Sequence, residues 1–282
     1  MIATLRTTIY IAMLFAAATV AWAKDDIADL TNMSIEELMN VTVYGASKFE
    51  QKVTNAPSFV TIVTADEIKK LGYRTLADIL RGVSGFVITN DRNYTYAAVR
   101  GLGVTGDYNS RILILIDQHR INDNIYNSAF LGNDFILDVD TIEKVEIIRG
   151  PGSALYGSNA FFAVINIITR KGGNVKGFEV SDSAGTFESY KGRLTLGNKF
   201  QNGFEGLLSG TYFQSEGQDR LYYGAYDDPA TNNGIAHHCD RENNYNILST
   251  LSYRGFTLQG ASVSSVDRKI HLTPYRHLKL TP

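Results

Sequence analysis

The segments that follow residue 177 constrain the fold most, because each is about ten residues long and carries aromatic residues at its ends. They cover residues 178–187, 190–200, 204–213 and 245–253, and Phe256 begins another. A strand that crosses a bilayer in a tilted barrel needs about 9–11 residues, an apolar outer face and aromatic residues at both interfaces. These segments therefore predict antiparallel transmembrane β-strands.

Each segment alternates between an apolar face and a polar face. In residues 190–200, Leu194 and Leu196 share a face with the terminal aromatic residues. The opposite faces carry Lys191, Arg193, Thr195 and Lys199 in this segment, Glu205, Ser209 and Thr211 in the next, and Asn246, Thr250 and Ser252 in the fourth. The first segment is weaker, because Asp182 falls on its apolar face. A soluble antiparallel sheet with one buried face shows the same alternation and remains an alternative.

The connections between the segments predict an orientation and an incomplete barrel. Residues 201–203 and 254–255 form short turns, whereas residues 214–244 form a long connection. Outer-membrane barrels have short periplasmic turns and long extracellular loops, and they close with about eight strands or more. The alternation ends after Val266. We therefore expect residues 174–282 to be the start of a barrel, either in the front part of a longer protein or in the product of an interrupted gene.

Residues 1–23 are typical of a secretory signal. Arg6 is the only basic residue before an apolar run from Ile9 to Val20, and cleavage is expected before Lys24. The run is shorter than the roughly 20 residues of a spanning helix, so the mature chain is expected to be exported.

The net charge of −2 gives no electrostatic argument for nucleic acid, and the single cysteine excludes a disulfide framework within the chain.

Residues 48–173 mix helix and strand patterns and predict a small α+β domain. Thr64 with Glu67 and Thr75 with Asp78 have the spacing of capping boxes, the first opening a helix that runs to Gly72. The second helix has one apolar stripe, formed by Leu76, Ile79, Leu80 and Val83. The predicted strands cover residues 58–64, 96–100, 111–117, 144–149 and 163–170.

Glycine-rich stretches in this domain do not predict a nucleotide site. The loop that starts at Gly150 lacks the lysine and hydroxyl residue of a phosphate-binding loop. Residues 101–106 have the spacing of a dinucleotide fingerprint, but the strand at 111–117 leaves no room for the helix it needs. Residues 237–239, two histidines and the cysteine, are better explained as a solvated loop than as a metal site. We predict no catalytic residue, cofactor or metal.

Four blocks, residues 56–86, 99–103, 112–122 and 142–173, carry a family resemblance in the order in which the family has them. They resemble the plug domain of TonB-dependent outer-membrane receptors. The block at 142–173 is the most specific. The resemblance implies a globular plug inside a barrel of about 22 strands, of which this chain would hold about five.

The family resemblance also implies a function and a location. Such receptors take up scarce ligands such as ferric siderophores or cobalamin across the outer membrane of Gram-negative bacteria. The energy comes from the inner-membrane proton gradient through TonB and its energising complex, and the plug faces the periplasm. The expected partners are therefore TonB, a small extracellular ligand and outer-membrane lipid. Three alternatives remain: a non-transporting surface binding protein, an inactive product of a truncated gene, and a secreted soluble β-rich enzyme.

The resemblance assigns roles to two arginines and one loop. Arg149 matches a plug arginine that pairs with acidic residues of the barrel wall, and Arg100 matches a second one; a local ion pair within the plug is the alternative. The loop residues that match are Gly150, Pro151, Gly152, Tyr156 and Gly157. Gln118 stands where the family usually has glycine, which puts the geometry of that turn in doubt.

The segment that TonB would capture is expected near the mature N-terminus, in the extension formed by residues 24–47. TonB adds a strand to an extended, accessible stretch. The segment predicted for this role is Val41, Thr42, Val43, Tyr44, Gly45 and Ala46. The alternative is that these residues form the first strand of the plug.

Overall fold

The computed structural model of the chain describes residues 42–43, 51–52, 59–103 and 106–267. The predicted signal at residues 1–23 lies outside the described residues. Of the predicted TonB segment, the structure describes Thr42–Val43, which form a short strand.

The first part of the described chain is an α+β domain, called the plug here (residues 59–170). Its helices are α1 (Ala65–Lys70), α2 (Leu76–Arg81) and α3 (Ser153–Tyr156), with a 3-10 turn at Val139–Thr141. Two short strands precede it, β1 (Thr42–Val43) and β2 (Gln51–Lys52). Its own strands are β3 (Phe59–Thr64), β4 (Phe86–Asn90), β5 (Thr95–Val99), β6 (Ile112–Ile116), β7 (His119–Arg120), β8 (Ile142–Arg149) and β9 (Ala163–Thr169).

The plug is built on a mixed sheet with the strand order β3-β8-β9-β6-β7. Only β6 and β9 run parallel among these pairs, and they are buried along their length. Strands β4 and β5 form a separate hairpin. The main core lies between one face of the sheet and helices α1 and α2, and it includes Ile114, Ile147 and Ile165.

The second part is a five-stranded antiparallel sheet, called the wall here. Its strands are β10 (Gly177–Gly185), β11 (Ser189–Lys199), β12 (Phe204–Ser215), β15 (Glu242–Tyr253) and β16 (Phe256–Asp267). They are paired in the order in which they occur along the chain. The connection between β12 and β15 holds a hairpin of β13 (Arg220–Tyr222) and β14 (Ile235–His237), with 3-10 turns at Gly224–Tyr226 and Pro229–Gly234.

The wall confirms the predicted alternation of its two faces. The outer face exposes large apolar side chains, among them Phe178, Leu194, Leu208, Ile247 and Leu258. The inner face buries polar side chains against the plug: Thr195, Ser209, Thr211 and Asn244. No helix among the described residues is long and apolar enough to span a bilayer.

The structure corrects several predicted boundaries. Helix α1 ends at Lys70 instead of Gly72, and β4 is a strand that the sequence analysis did not predict. The long connection is shorter than residues 214–244, because β12 continues to Ser215 and β15 begins at Glu242. The sequence analysis placed the start of β15 in a loop, but these residues pair with β12 as part of the wall, and Glu242 and Asn244 face the plug.

The turn at Gln118 forms without the glycine that the resemblance led us to expect there. Strands β6 and β7 pair Ile116 with His119, so Asp117 and Gln118 are the two residues of the turn. Their φ angles of 46° and 72° match a two-residue hairpin turn with positive φ at both positions. The Asp117 carboxylate accepts hydrogen bonds from the backbone N–H and the hydroxyl of Thr169, at 3.0 and 2.6 Å, which helps to hold this conformation.

Both predicted capping boxes are present. Thr64 and Glu67 cap α1, and Thr75 and Asp78 cap α2. In each pair, the side chain of one residue accepts a hydrogen bond from the backbone N–H of the other. Helix α2 buries Leu76, Ile79 and Leu80 completely, so its position fixes a large part of the core.

We expect Thr75→Ala to lower the free energy of unfolding by about 1 kcal/mol, because α2 loses its N-terminal cap. Thr89→Ala, on an exposed position of β4, is the control and should stay within about 0.5 kcal/mol. Urea unfolding of the detergent-solubilised chain measures both. Equal effects would contradict a role of the cap in stability.

Candidate functional site: the contact between plug and wall

The polar inner face of the wall meets polar and charged groups of the plug. The contacts involve every strand of the wall: Glu179 on β10, Lys191 on β11, Thr211 on β12, Asn246 on β15 and Gln259 on β16. Inward positions of a strand recur every second residue, so a polar face of this kind can bond a second body along its length.

The strongest contact places one lysine between two plug carboxylates. Lys191 Nζ lies 2.7 Å from Asp138 Oδ1 and 2.9 Å from Asp140 Oδ2. The Asp138 side chain is 3% exposed, so its charge is removed from water. A buried carboxylate requires such pairing, because an isolated one is strongly disfavoured.

Local structure holds Asp138 in position for this contact. Asp138 precedes the 3-10 turn at Val139–Thr141, and its Oδ1 accepts the backbone N–H of Asp140 at 3.1 Å. Its Oδ2 accepts the hydroxyl of Thr211 from the wall at 2.8 Å. One carboxylate therefore joins the start of β8 to two strands of the wall.

In a second charged contact the plug supplies the cation and the wall supplies the carboxylate. Arg170, directly after β9, donates two hydrogen bonds to Glu179, at 2.8 and 2.6 Å. Arg193 of the wall lies 3.4 Å from the same carboxylate. Paired donors on both carboxylate oxygens fix direction as well as distance, so this contact orients the first wall strand where it leaves the plug.

The chain passes from plug to wall through a glycine-rich contact. The four-residue helix α4 (Gly172–Val175) packs against β11 and β12. A Cβ atom at Gly172 would lie 2.1 Å from the carbonyl oxygen of Gly206 and 2.6 Å from that of Asn198. At Gly197 a Cβ would lie 2.8 Å from Val175 Cβ. Glycine is required because the two backbones are in direct contact.

Apolar side chains of the wall and of helix α4 also enter the plug core. Leu207 and Leu248 of the wall and Val175 of α4 belong to the same buried cluster as the helices and sheet of the plug. Their burial removes apolar surface from water, which favours association at about 25 cal/mol per Å². The contact therefore combines apolar packing with paired charges.

The structure brings the two predicted plug arginines together. Arg100 Nη2 donates to the backbone carbonyl of Arg149 at 3.3 Å. Arg149 donates to the carbonyl of Ser84 and, at 2.8 Å, to the hydroxyl of Thr61. These contacts lie within the plug. Pairing of either arginine with an acidic residue of a barrel wall stays a prediction.

The loop predicted from the resemblance turns sharply at its glycines. Gly150 and Gly157 have φ angles of 134° and 75°, on either side of helix α3. Gly152 packs closely, because a Cβ there would lie 2.9 Å from Val164 Cγ2. Pro151 is exposed, and Tyr156 packs against the smaller core cluster on the second face of the sheet.

Three tyrosines meet near the tip of the β4–β5 hairpin: Tyr94 and Tyr96 belong to the hairpin, and Tyr108 belongs to the segment between β5 and β6. Tyr94 and Tyr108 meet edge to face with ring centroids 5.0 Å apart, and Tyr96 lies within 6.5 Å of both. Arg92 in the same tip lies 3.6 Å from Asp240 of the β12–β15 connection. This end of the plug is therefore held close to that connection.

Asp91 orders this tip. Burial acts to raise its pKa, but hydrogen bonds from the backbone N–H groups of Tyr94 and Asn93 outweigh burial and lower the pKa below the ordinary value. Burial and the hydrogen bond to Asp91 raise the pKa of Tyr96 to about 12. Tyr96 is therefore a neutral donor at physiological pH.

The charged plug–wall contacts were missed by the sequence analysis. The alternation placed Lys191 and Arg193 on the polar face, but no pattern in the sequence pairs them with Asp138 and Asp140, more than fifty residues earlier. No group of three or more His, Cys, Asp or Glu residues that could bind a metal occurs among the described residues. In the segment 237–239, which the sequence analysis interpreted as a solvated loop, His238 Nδ1 lies 2.8 Å from Asp219 Oδ1.

Residues 52–164 match the family model of the TonB-dependent receptor plug domain. The chain is 32% identical over 181 residues to the vitamin B12 transporter BtuB of Vibrio vulnificus, covering 64% of this chain and 29% of that protein. It is 35% identical over 140 residues to the iron-regulated outer membrane virulence protein of Vibrio cholerae, covering 48% of this chain and 20% of that protein. The chain thus spans less than a third of the length of these relatives.

Two solved structures share the fold. The ferripyoverdine receptor of the Pseudomonas aeruginosa outer membrane has a TM-score of 0.59 at 16% identity, covering 80% of this chain and 27% of that chain. The ferric-catecholate import receptor Fiu of E. coli has a TM-score of 0.57 at 20% identity, and the match covers 79% of this chain and 29% of that chain. Both the plug and the antiparallel strands that follow it are therefore similar in architecture to these receptors.

We expect Lys191→Met to destabilise the plug–wall contact by about 2–3 kcal/mol, because Asp138 stays buried without its main cation. Lys199→Met, at an exposed position of the same strand, is the control and should change stability by less than about 0.5 kcal/mol. Hydrogen exchange of residues 137–141 reports the contact. In a double-mutant cycle with Asp138→Asn we expect a coupling of about 1 kcal/mol or more; additive effects would contradict the pairing.

We expect Gly172→Ala to destabilise the same contact by about 1–3 kcal/mol, because the new methyl group meets wall backbone that cannot move away. Gly173→Ala is the matched control: its Cβ would lie 3.1 Å from Glu205 Oε1, the end of a flexible side chain. Thermal unfolding compares the two variants. A larger loss for Gly173→Ala would show that the backbone contact is not what restricts this position.

Proposed function

We propose that the chain is part of a TonB-dependent receptor, because residues 52–164 match the family model of the plug domain, and that it serves the uptake of a scarce ligand across the outer membrane with energy supplied through TonB. The observation that carries this proposal is the plug seated on the polar face of an antiparallel wall whose opposite face is apolar. Lipid favours that apolar face, and the charged contacts seat the plug on the wall through interactions that water can replace.

The wall supports a membrane location. Its outward side chains include Leu194, Leu208 and Ile247 in mid-strand and Tyr190, Phe200 and Tyr253 near strand ends. Such an arrangement matches an apolar band between two aromatic girdles. The turns at 201–203 and 254–255 would then face the periplasm and the β12–β15 connection would face the outside, with the plug reached from the periplasm.

The ligand proposed is an iron chelate or a cobalamin-like molecule. One relative is named a vitamin B12 transporter and another an iron-regulated outer membrane protein, so the relatives support both classes. The tyrosines at the hairpin tip and the nearby connection give a surface where such a ligand could first bind. Outer-membrane lipid and TonB complete the set of proposed partners.

Energy coupling is proposed to use residues 41–46. Thr42–Val43 form a strand that pairs with Gln51–Lys52, and within the part of the chain that the structure describes these two strands form a sheet of their own. Strand addition requires an extended backbone with an open edge. The extended conformation at 42–43 supports the proposal, and it equally suits a first strand of the plug.

Arg100 and Arg149 are proposed to help to retain the plug. A guanidinium stays charged and bonds in several directions at once, so it can link the plug to a partner and still release it. The hydrogen bonds of Arg149 to Ser84 and Thr61 hold its side chain near the start of β3. If TonB pulled on the residues before β3, the displacement would be passed through Thr61 to Arg149.

The test measures uptake in source cells that carry the unchanged gene, a deletion of residues 41–46, or Val43→Pro, using radiolabelled cyanocobalamin and a radiolabelled ferric siderophore. We expect uptake of one ligand to fall at least about tenfold in both variants while surface binding is unchanged, because proline removes a donor that strand addition needs. Val43→Thr keeps an extended residue and is the matched control.

Two outcomes would contradict the proposed function. Unchanged uptake after the deletion would favour a surface binding protein without transport. Extraction of the chain from cells without detergent would favour a soluble protein and would exclude a membrane-spanning wall.

A further inference from the structure

A cavity of about 540 Å³ separates part of the plug from the inner face of the wall. We call it the plug–wall cavity. On the plug side it is lined by helices α1 and α2 and by residues of the segment 133–140; on the wall side it is lined by residues of β10, β11, β12 and β15. Its size is in the range of pockets that hold small ligands, about 300–1,000 Å³.

Along this cavity, the hydrogen bonds between the plug and β15 skip one of three successive inward residues. The inward positions at the start of β15 are Glu242, Asn244 and Asn246, which are successive side chains on one face of the strand. Asn133 of the plug donates to Glu242 Oε2, and Asn246 Nδ2 donates to the carbonyl of Phe135 at 3.0 Å. The plug thus bonds the first and the third of these residues and passes by the second.

Asn244 is the residue that the plug leaves unbonded. It is 2% exposed and lines the cavity. Neither its amide nitrogen nor its amide oxygen has a hydrogen-bond partner among the described residues. Burial of an unpaired amide costs free energy, whereas leucine, of similar size, would fill the position without that cost. The asparagine is therefore explained best by a partner that reaches it from the cavity.

The remaining groups of the cavity restrict the chemistry of that partner. Asp138 and Asp140 are already paired with Lys191, and the hydroxyl of Thr211 is bonded to Asp138. The side chains that line the cavity include four basic ones and four acidic ones, so the lining carries no net charge and gives no overall preference for an ion: Lys69, Arg74, Arg81 and Lys191, and Asp78, Asp138, Asp140 and Glu242. What Asn244 lacks is one acceptor for its N–H groups and one donor for its carbonyl oxygen.

We infer that the plug–wall cavity is an inner binding site for a neutral amide group of the transported ligand, with Asn244 as the residue that pairs with it. A carboxamide or peptide group carries the required donor and acceptor side by side. Both amide atoms of Asn244 are shielded from solvent in this structure, so pairing with such a group requires the side chain to rotate toward the cavity. This inference rests on the proposed transport function, because the site lies behind the outer end of the plug.

The test uses N-acetylglycinamide, a small neutral diamide, and methyl acetoxyacetate, a neutral diester of similar size that has no N–H donor, as the matched probe. The detergent-solubilised chain is labelled with ¹⁵N-asparagine, and the side-chain amide of Asn244 is assigned by its loss in Asn244→Leu. We expect the diamide to shift this resonance saturably in the millimolar range and the diester to shift it at least about fivefold less. Asn243→Leu, on the opposite face of β15, should keep the response.

Thermal unfolding provides an independent measurement. If the Asn244 amide is unpaired in the empty cavity, Asn244→Leu melts at the same temperature as the unchanged chain or a few degrees higher, and the diamide no longer raises its melting temperature. A large fall in melting temperature would show that Asn244 already has a structural partner and would overturn the inference.

Two further results would also overturn it. One is the absence of any saturable shift up to about 0.1 M diamide, which would leave water as the partner of Asn244. The other is an equal response to both probes or a response that persists in Asn244→Leu, which would mean an adventitious additive only. Uptake that depends on residues 41–46 without a diamide response would reject this site and leave the proposed function standing.

Discussion

The polar inner face of the wall is the constraint on which the arrangement of the chain depends. Five antiparallel strands place apolar residues on one side and residues such as Lys191, Thr195 and Thr211 on the other. The polar side must be solvated or paired, because buried polar groups without partners are costly. The plug supplies partners for much of it, with Asp138, Asp140 and Arg170 opposite the wall.

The balance of forces in this contact agrees with the proposed function, in which the plug is held and also moved. Pairs such as Lys191–Asp138 gain Coulomb energy, but much of that gain offsets the loss of hydration, so their net contribution is modest. Apolar burial of Leu207 and Leu248 adds attraction without direction. The charged pairs then set position, and the close backbone contact at Gly172 sets distance. Release of the plug exchanges these pairs for water without breaking a covalent bond.

The hydrogen bonds between the plug and the start of β15 leave one polar residue without a partner. The plug matches most of the polar positions it faces, and Asn244 is an exception beside a cavity. A surface built only for retention gains nothing from a buried unpaired amide. A surface along which a polar ligand passes has a reason to keep one.

The sequence by itself determined most of the elements and their faces. Capping boxes, the stripe of α2 and the alternation along residues 190–200, 204–213 and 245–253 are local patterns, and local geometry follows from them directly. The start of β15 was assigned to the loop, and only its pairing with β12 and β16 in the wall shows that it is a strand. The tertiary structure alone decided which charges pair, since Asp138 and Lys191 are far apart in the chain and any carboxylate suits any lysine. Pairing is set by the packing of whole sheets, and no local pattern records it.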